Sequence, residues 1–390
     1  MSTASARRAY EGPALLSFGF RPFFLLGAAW AAVSIPLWVW SLLGGSAAVA
    51  HRAWHVHEML FGFLAAVVAG FLTTAVPNWT GRMPVIGAPL GGLVLLWLAG
   101  RLAMLLQFLI GPVAAAVDVL FLLAFAAVVW REVLAGRNWR NLPVCGLVSA
   151  LAIANVTFHL DPGVWTSGLG ERLGLGAAVV LIALIGGRIT PSFTLNWLKA
   201  RRLGPAPAAF GALDRLALGA TALGAVAWTL APQAGATGLL LLLAGAANAA
   251  RLARWRGWLA WREPLVWILH LGYGWLAAGL ALLGAAVVLP QVAVSAGVHA
   301  LTAGAIGTMT LAVMTRASRG HTGRPLAADG ATLGIYLAIL LAGAFRVAAP
   351  FSGGAMPAML VVSAALWTAA FGGFALGYGP MLATPRRKAA

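Results

Sequence analysis

The sequence has little charge, few acidic residues and a single cysteine, and each scarcity excludes a class of protein. Cys145 alone cannot form an internal disulfide, a CxxC zinc site or a covalent c-type heme attachment, because each of these needs two thiols. Charged residues make up 9% of the 390 residues and hydrophobic residues 61%, which leaves too few polar groups to cover a soluble surface. Most of this chain is therefore expected to face lipid.

Acidic residues are outnumbered by basic ones, and the formal net charge of +17 raises the question of nucleic acid binding. The positions of the basic residues exclude it. They lie between hydrophobic runs, and no basic stretch interleaved with aromatic residues forms a soluble domain. We therefore expect the lipid bilayer, and no nucleic acid, as a partner.

Apolar residues fall in blocks close to the roughly 20 residues that a helix needs to cross a bilayer. The blocks are rich in Ala, Leu and Gly without alternation, which favours helices over a barrel. The sequence therefore predicts an all-α, polytopic membrane helix bundle of about twelve transmembrane helices. The predicted spans are 23–43, 56–76, 87–108, 112–130, 142–160, 172–190, 209–231, 236–252, 264–284, 292–315, 331–349 and 357–380.

The basic residues between the spans predict the orientation, because lysine and arginine stay in the cytoplasm. With the amino terminus inside, twenty of the 26 fall in cytoplasmic segments and only Arg52 lies outside; the other five are within or at the ends of spans. Both termini are thus predicted to be cytoplasmic. We expect a cytoplasmic segment 1–22, one transmembrane domain 23–380 and a basic cytoplasmic tail 381–390, in the inner (plasma) membrane.

The seven histidines gather toward the predicted outer face. His299 lies about seven residues into the tenth span, roughly 10 Å deep. His270 enters the ninth span from the cytoplasmic end, and His321 is predicted to lie in a cytoplasmic loop. Four histidines share the outer ends of the second and fifth spans: His51, His55, His57 and His159.

Neutral imidazole is a good ligand for iron and copper, and bundles commonly present such ligands from facing helices. In a helix, His51 and His55 would share one face, whereas His57 would point about 200° on from His55. Two ligand sets on one segment are therefore compatible with the spacing. The alternative is that interfacial histidines only bind headgroups or water.

Two ionisable residues within spans are expensive to bury and need an explanation. Arg101 and Asp118 lie on consecutive spans, both about 9–11 Å below the outer surface, so they can pair across the hairpin. A structural ion pair is one interpretation. The other is that Arg101, with Arg52 or Arg346, neutralises carboxylates of a cofactor such as heme propionates.

Two motifs lie at the predicted cytoplasmic side, and neither is a P-loop, since the Gly-Lys-Ser/Thr ending is absent. In the 186–194 motif Pro191 is expected to end the sixth helix. In 314–324, arginine with serine and threonine could bind an anion, or anchor the helix end at anionic lipid. Gly304 and Gly307 permit either close helix approach or room for a flat ligand.

Several of these motifs together resemble the NnrS family over nearly the whole chain. They are Phe20-Arg21-Pro22-Phe23-Phe24, His55-Val56-His57-Glu58-Met59-Leu60-Phe61-Gly62, Gly187-Arg188-Ile189-Thr190-Pro191-Ser192-Phe193-Thr194, Leu269-His270-Leu271-Gly272-Tyr273, and the stretch from His299-Ala300-Leu301-Thr302 to Gly320-His321-Thr322-Gly323-Arg324. The resemblance implies a twelve-span bacterial membrane protein that binds heme and copper and is associated with the response to nitric oxide.

Ligand roles within that resemblance are hypotheses of our own. We expect His57 and His299 to be the axial ligands of a noncovalent b-type heme, with Arg101, Arg346 and Arg52 available for its carboxylates. His270 would ligate a second heme or form a hydrogen bond in the core. The copper set is expected to be His51, His55 and His159, with His57 and His299 as further metal ligands.

The predicted function is binding of nitric oxide, or its reduction, at an outer-half metal site, in nitric oxide tolerance and denitrification. Reduction would make the protein a heme and copper oxidoreductase with an unidentified electron donor. A multi-span transporter with a midplane site is one alternative. A sensor or assembly protein that carries heme without turnover is another.

Overall fold

The computed structural model describes residues 10–45, 50–161 and 168–387, and in these ranges all regular secondary structure is helical. The all-α prediction is therefore confirmed. The basic residues Arg7, Arg8 and Lys388, which entered the orientation count, lie outside the described residues.

In the described residues, twelve long helices follow one another in the order of the predicted spans. Short 3₁₀ or α turns, such as Gln107–Ile110 and Gly257–Ala260, lie between them. The long helices are α1 Phe20–Leu42, α2 Arg52–Thr80, α3 Ala88–Leu105, α4 Val113–Ala135, α5 Leu142–Leu160, α6 Leu169–Arg201, α7 Ala212–Leu230, α8 Gly235–Ala253, α9 Pro264–Val288, α10 Val294–His321, α11 Gly330–Ala348 and α12 Met356–Ala383.

Eleven of these helices are long and apolar enough to cross a membrane, which confirms a polytopic bundle of about twelve spans. Helix α7 is the one outside that group, and it carries Asp214 and Arg215 in its first turn. The eighth predicted span, the shortest, is helix α8 and qualifies although it ends near Arg251. The orientation of the termini stays a prediction.

Contacts divide the chain into two compact units. The first contains the described residues of Met1–Gly174, Ala317–Pro325 and Phe371–Ala390. The second contains those of Leu175–Arg316 and Leu326–Ala370. The division of the sequence into 1–22, 23–380 and 381–390 stays a prediction.

Within the part of the chain that the structure describes, three long helices contain a wide π-helical segment, at Glu58–Leu64, Ile182–Gly186 and Ala300–Ile306. Such segments are rare and occur frequently at functional sites, because the extra residue per turn re-aims side chains and frees carbonyls. Helices α2 and α10 share one pattern: six α-helical residues that end in a histidine, then seven π-helical residues. His57 and His299 therefore occupy equivalent places in their helices.

The expectation that Pro191 ends the sixth helix is wrong, because α6 continues to Arg201. A proline inside a helix lacks its N–H and its ring crowds the carbonyl four residues earlier. That residue is Gly187, which directly follows the π-helical segment. The helix just before Gly187 is already wider than a regular α-helix, and Gly187 has no side chain, so the proline ring fits there.

The expectation that His321 lies in a loop is also wrong, because His321 is the last residue of α10. Its ring lies 5.4 Å from that of Phe20 and 6.1 Å from that of Phe18. The polar character of 314–324 predicts a segment outside the span. Such residues remain helical when they find partners, as Thr315 does in the hydroxyl of Tyr336, 2.6 Å away.

Glycines in the second unit serve close packing. A Cβ on Gly304 would lie 2.6 Å from the Trp275 ring, and one on Gly307 would lie 2.8 Å from the Trp367 ring. Tryptophan rings thus occupy the space that these glycines provide. Of the two interpretations of Gly304 and Gly307, the structure supports close packing.

Candidate metal centre

Three ligand-type side chains from three helices of the first unit converge on one point. His57 ends the first six residues of α2, Asp118 is in α4, and His159 is in the last turn of α5. His57 Nε2 lies 2.9 Å from Asp118 Oδ2, and His159 Nε2 lies 3.0 Å from the same oxygen. One ligand atom from each residue lies within 4.8 Å of the others, so these residues could hold a metal ion.

Asn155 completes the lining beside His159. The two residues are four positions apart on α5 and so share one helix face. The Asn155 side-chain amide donates to Asp118 Oδ2 at 2.9 Å, and its Oδ1 lies 3.2 Å from His57 Nε2. Asp118 Oδ2 is therefore the common partner of three neighbouring side chains.

Arg101 connects Asp118 to a second carboxylate. Its guanidinium donates to Glu58 Oε2 at 2.6 Å and to Asp118 Oδ1, which confirms the predicted pairing of Arg101 with Asp118. Trp30 Nε1 also donates to Glu58 Oε2, at 2.7 Å. A Cβ on Gly100 would lie 3.0 Å from Asp118 Oδ1, so this glycine lets α3 approach α4 closely.

The wide turn of α2 is part of the same arrangement. Trp97 Nε1 donates to the carbonyl of Gly62 within the π-helical segment, at 2.9 Å. A Cβ on Gly62 would collide with Arg101 Nη1 and lie 2.8 Å from Glu58 Oε2. The segment therefore provides the space into which the arginine and the glutamate fit.

The six polar side chains of this centre are almost completely removed from solvent. His57, Glu58, Arg101, Asp118 and Asn155 are at most 3% exposed, and the His159 side chain is 12% exposed. The rings of Phe61 and Phe158 lie 5.3 and 5.4 Å from that of His57. Charges in such a place need full compensation.

The charges of the centre do not balance when both imidazoles are neutral. Two carboxylates, Glu58 and Asp118, then face one guanidinium, that of Arg101. One negative charge remains in an apolar surrounding, which is costly. A proton on an imidazole or a bound metal cation would supply the missing positive charge.

The hydrogen bonds of His57 restrict the source of this positive charge to two possibilities. Its Nδ1 lies 3.0 Å from Glu58 Oε1 and its Nε2 lies 2.9 Å from Asp118 Oδ2. A neutral imidazole has a single N–H, so one nitrogen would direct a lone pair at a carboxylate. Either His57 is an imidazolium, or Nδ1–H donates to Glu58 and Nε2 shares a cation with Asp118, as metal-bound histidines commonly do.

The chain carries the signature of one family along most of its length. The family model of the NnrS protein matches residues 14–386. This chain belongs to the NnrS family. No curated protein matches the sequence.

The other outer histidines predicted for this NnrS-family chain have separate partners. His51 is the N-cap of α2, where its Nδ1 accepts the Trp54 backbone N–H at 3.2 Å. The ring of His55 stacks on Trp38, with centroids 5.1 Å apart. Among the described residues, the metal-ligand group of three joins His159 to His57 and Asp118, and includes neither His51 nor His55.

Two arginines predicted to neutralise heme carboxylates already bind carboxylates of the protein. Arg101 binds Glu58 and Asp118 as described above, and Arg52 lies 3.0 Å from Glu171. Their role with a cofactor stays a prediction.

His299 and Arg346, the third predicted arginine, lie in the second unit of the NnrS-family chain. His299 Nδ1 donates to the carbonyl of Ser295 at 2.7 Å. On the next helix, Gly343 packs closely against Gly304: a Cβ on Gly343 would lie 3.2 Å from the Gly304 Cα. Arg346 is one turn past that contact and His299 about one turn before it, so both lie toward the same end of the antiparallel pair.

His270 is buried in α9 and has a core partner. Its Nε2 lies 2.8 Å from the Thr194 hydroxyl, and its ring packs against Gly257, where a Cβ would collide with it. Of the two roles expected for His270, the hydrogen bond in the core is present. Ligation of a second heme by His270 stays a prediction.

A second buried polar cluster, in the second unit, was not expected from the sequence. Arg251 donates to Asp214 Oδ1 at 2.7 Å, to the carbonyl of Ala183 at 2.9 Å and to the Tyr273 hydroxyl at 2.8 Å. The Tyr273 hydroxyl in turn donates to Asn248 at 2.6 Å. The Arg251–Asp214 pair is balanced in charge, which is typical of a structural network.

Sequence reasoning missed three contributors to the metal centre: Asn155, Trp30 and Glu58. Asn155 carried a usable signal, because an amide in an apolar helix four residues before His159 shares its face. Glu58 was adjacent to His57 but had no assigned partner. Trp30 had no signal, since a tryptophan at this depth is also ordinary helix packing.

Proposed function

We propose that this protein is a metalloprotein of the nitric oxide response that binds copper at His57, Asp118 and His159 and presents it to nitric oxide. The observation that carries the proposal is that two buried carboxylates, Glu58 and Asp118, share one arginine, while two imidazole nitrogens converge on Asp118 Oδ2. A cation at this point satisfies both the charge and the lone pairs.

The donor set agrees with copper. Imidazole nitrogens with a carboxylate oxygen suit copper(II), and copper stands at the top of the affinity order for divalent first-row metals. Two histidines and one carboxylate also suit iron(II). Metal and heme binding are known for the NnrS family, which supports a redox-active metal here over zinc.

The residues around the ligands have distinct supporting roles in this proposal. Glu58 accepts the Nδ1–H of His57 and so keeps Nε2 available to the metal. Arg101 holds Glu58 and Asp118 in place, and the rings of Phe61 and Phe158 exclude water. The bound copper would supply the binding position for nitric oxide, a small uncharged molecule that needs no polar channel to reach it.

Heme b is proposed to bind in the second unit, with His299 as an axial ligand. Two observations fit. His299 Nδ1 donates to the Ser295 carbonyl, so Nε2 is the nitrogen that would ligate iron, and Arg346 has a buried Nη1 without a hydrogen-bond partner in the described part of the chain. An unsatisfied guanidinium N–H at the level of the ligand suits a heme propionate. The role of His57 as the other axial ligand, expected from the sequence, is an alternative to its copper role, because the proposal assigns its Nδ1 to Glu58 and its Nε2 to copper.

Metal analysis of purified variants tests the copper proposal. We expect Asp118→Asn and His159→Ala to lose most bound copper, together with its electron paramagnetic resonance signal and the change caused by nitric oxide. His55→Ala is the matched control and should keep both, because His55 lies outside the group. Full copper in the Asp118 and His159 variants with loss in His55→Ala would overturn the assignment in favour of the set expected from the sequence.

The transporter alternative retains one observation. The same centre with a proton on His57 in place of a metal would be a buried, proton-binding group, which proton-coupled transporters use. Purified protein that is free of metal and heme, and that moves protons in vesicles, would favour this alternative. A protein that binds metal and nitric oxide but does not react with a reduced quinol would favour the sensor or assembly role.

A further inference from the structure

An arginine cluster lies in the first unit where α1 begins, α10 ends and the chain continues past α12. We define it as Arg21, Arg319, Arg324 and Arg387. Arg21 is 2% exposed and Arg319 is 8% exposed, although both carry a full positive charge. Arg21 and Arg324 are close enough to repel each other, as Arg324 is to Arg319 and Arg387.

Backbone contacts hold the cluster together. The Arg21 guanidinium donates to the carbonyls of Leu382 and Thr384, at 2.7 and 2.6 Å. The backbone N–H of Arg387 donates to the carbonyl of Thr322 at 3.1 Å. Gly323 has a φ of 73°, and a Cβ there would lie 2.6 Å from the Arg387 carbonyl, so only glycine fits. The chain after α12 is therefore fixed against the end of α10.

Three buried polar atoms in or beside the cluster have no hydrogen-bond partner among the described residues: Arg21 Nε, Arg324 Nη1 and Ser318 Oγ. Ser318 itself is 0% exposed. Within the part of the chain that the structure describes, neither Arg21 nor Arg324 forms an ion pair. Buried donors of this kind usually have a partner, so an acceptor is missing.

Ordinary stabilising effects account for only part of the charge. The carboxyl end of α10 attracts cations through the helix dipole, which helps Arg319. Arg21 is in the first turn of α1, where the dipole repels a cation, and its two contacts at the end of α12 leave Nε without a partner among the described residues. Burial and the charges of Arg387 and Arg319 lower the pKa of Arg324, which indicates an environment short of negative charge.

We propose that this arginine cluster, with Ser318, binds the phosphate group of an anionic phospholipid or of free phosphate. Guanidinium groups bind phosphate through paired, charge-assisted hydrogen bonds, and a phosphate oxygen can accept from the Ser318 hydroxyl as well. The cluster is at the ends of α1 and α10, the level at which lipid headgroups meet a spanning helix. This site is separate from the metal centre and does not depend on it.

Thermal unfolding of the full-length protein in a neutral detergent tests for the site, with inorganic phosphate titrated at constant ionic strength. We expect phosphate to raise the Tm of the wild type. In Arg324→Gln the phosphate concentration for half the effect should rise about tenfold or more, the loss of a charge-assisted contact. The phosphate-free Tm of that variant should equal or exceed the wild-type value, because a repulsion is removed.

Two further variants control for a general effect of removing a positive charge. Ser318→Ala changes no charge, and it should still weaken the phosphate response, by about threefold to tenfold. Arg140→Gln removes an exposed arginine of the same unit and should respond like the wild type. An equal phosphate response in wild type, Arg324→Gln and Ser318→Ala would overturn the proposal.

The same measurement in lipid nanodiscs distinguishes the two sources of phosphate. If the ligand is a lipid, phosphatidylglycerol in phosphatidylcholine should raise the Tm of the wild type and abolish the response to free phosphate, with a smaller effect in Arg324→Gln. If the ligand is free phosphate, its response should persist in both lipids. Either result supports the site, and no response to phosphate or phosphatidylglycerol in the wild type contradicts it.

Discussion

At the scale of single residues, one oxygen atom organises the centre. Asp118 Oδ2 lies 2.9 Å from His57 Nε2, 3.0 Å from His159 Nε2 and 2.9 Å from the Asn155 amide. The amide nitrogen of Asn155 can only donate a hydrogen bond to this oxygen, whereas each imidazole nitrogen can donate a hydrogen bond or bind a metal. The occupant of this point, a proton or a metal ion, is therefore decided by the two histidines.

The charge balance predicts unequal losses for two neighbours in the metal-free protein, where a proton on His57 supplies the second positive charge. Arg101→Met leaves two buried carboxylates facing one imidazolium, so we expect a loss of roughly 3–5 kcal/mol in stability. Glu58→Gln leaves Arg101 and Asp118 as a balanced pair, so its loss should be much smaller. Thermal unfolding in detergent with a chelator measures both. Equal losses in the two variants would mean that the carboxylate charges are not the determining factor.

His51 should make the stability of α2 depend on pH. Its Nδ1 caps the helix only when unprotonated, and burial lowers the pKa of His51 below its ordinary value. The lowered pKa means that the unfolded chain takes up the proton first. The contribution, about 1 kcal/mol, is thus complete above the unfolded pKa of about 6.5 and is lost as the pH falls through the folded value.

His51→Asn is the matched control for this prediction, since asparagine caps a helix without titrating in that range. We expect the wild type and the variant to have similar unfolding temperatures at pH 8. At pH 5 the variant should be the more stable of the two. A difference between the two proteins that stays constant from pH 8 to pH 5 would contradict the capping role.

At the scale of helices, the π-helical segments account for the position of the motifs. His57 and His299 are each the last residue before a seven-residue wide turn. The third wide turn directly precedes Gly187 and offers the Ala183 carbonyl to Arg251. A wide turn frees carbonyls and side-chain directions that a regular α-helix would use internally. At each of these motifs, therefore, the helix departs from regular α-helical geometry and thereby binds polar groups.

Gly62 should be the sensitive position of the first wide turn. Gly62→Ala would place a methyl group against Arg101 and Glu58, so we expect reduced stability and loss of bound metal. Gly92→Ala in α3 is the matched control, because a Cβ there meets nothing within 4 Å. That change should stabilise by roughly 0.5–1 kcal/mol. Unfolding temperature and copper content measure both variants, and equal behaviour would contradict the close fit.

At the scale of the whole molecule, the two compact units differ in the charge balance of their buried clusters. In the first unit two buried carboxylates share one arginine. In the second unit the buried Arg251 pairs with Asp214, and the second arginine of that carboxylate, Arg254 at 3.4 Å, is partly exposed to solvent. A buried ion pair is explained by structure alone, whereas a buried excess of carboxylates asks for a cation. For this reason the proposed copper site is in the first unit.

The predicted orientation can be tested with single cysteines, because the native Cys145 is buried. Arg140→Cys lies between α4 and α5, and Gln291→Cys lies between α9 and α10; both positions are exposed. We expect a membrane-impermeant maleimide to label Gln291→Cys on intact spheroplasts and Arg140→Cys only after lysis. The reverse pattern would mean that the termini are outside.

Much of the fold was available from the sequence, for identifiable reasons. The twelve apolar blocks correspond to twelve long helices, because lipid forces backbone groups to be satisfied within each helix. The errors lie where polar residues continue a helix past its apolar part, as at Pro191 and His321. Hydropathy measures the apolar part alone, and partners such as the Tyr336 hydroxyl for Thr315 come from other helices.

The sequence by itself determined that this chain is an all-helical membrane protein with polar residues worth explaining, since burial in lipid depends on composition and spacing along one helix. Only the tertiary structure decided which of those residues meet. Placing His159 and Asn155 with His57 and Asp118 requires the rotation and depth of three helices, which no local pattern encodes. The charge left unbalanced at Asp118 could be recognised only after those side chains were brought together.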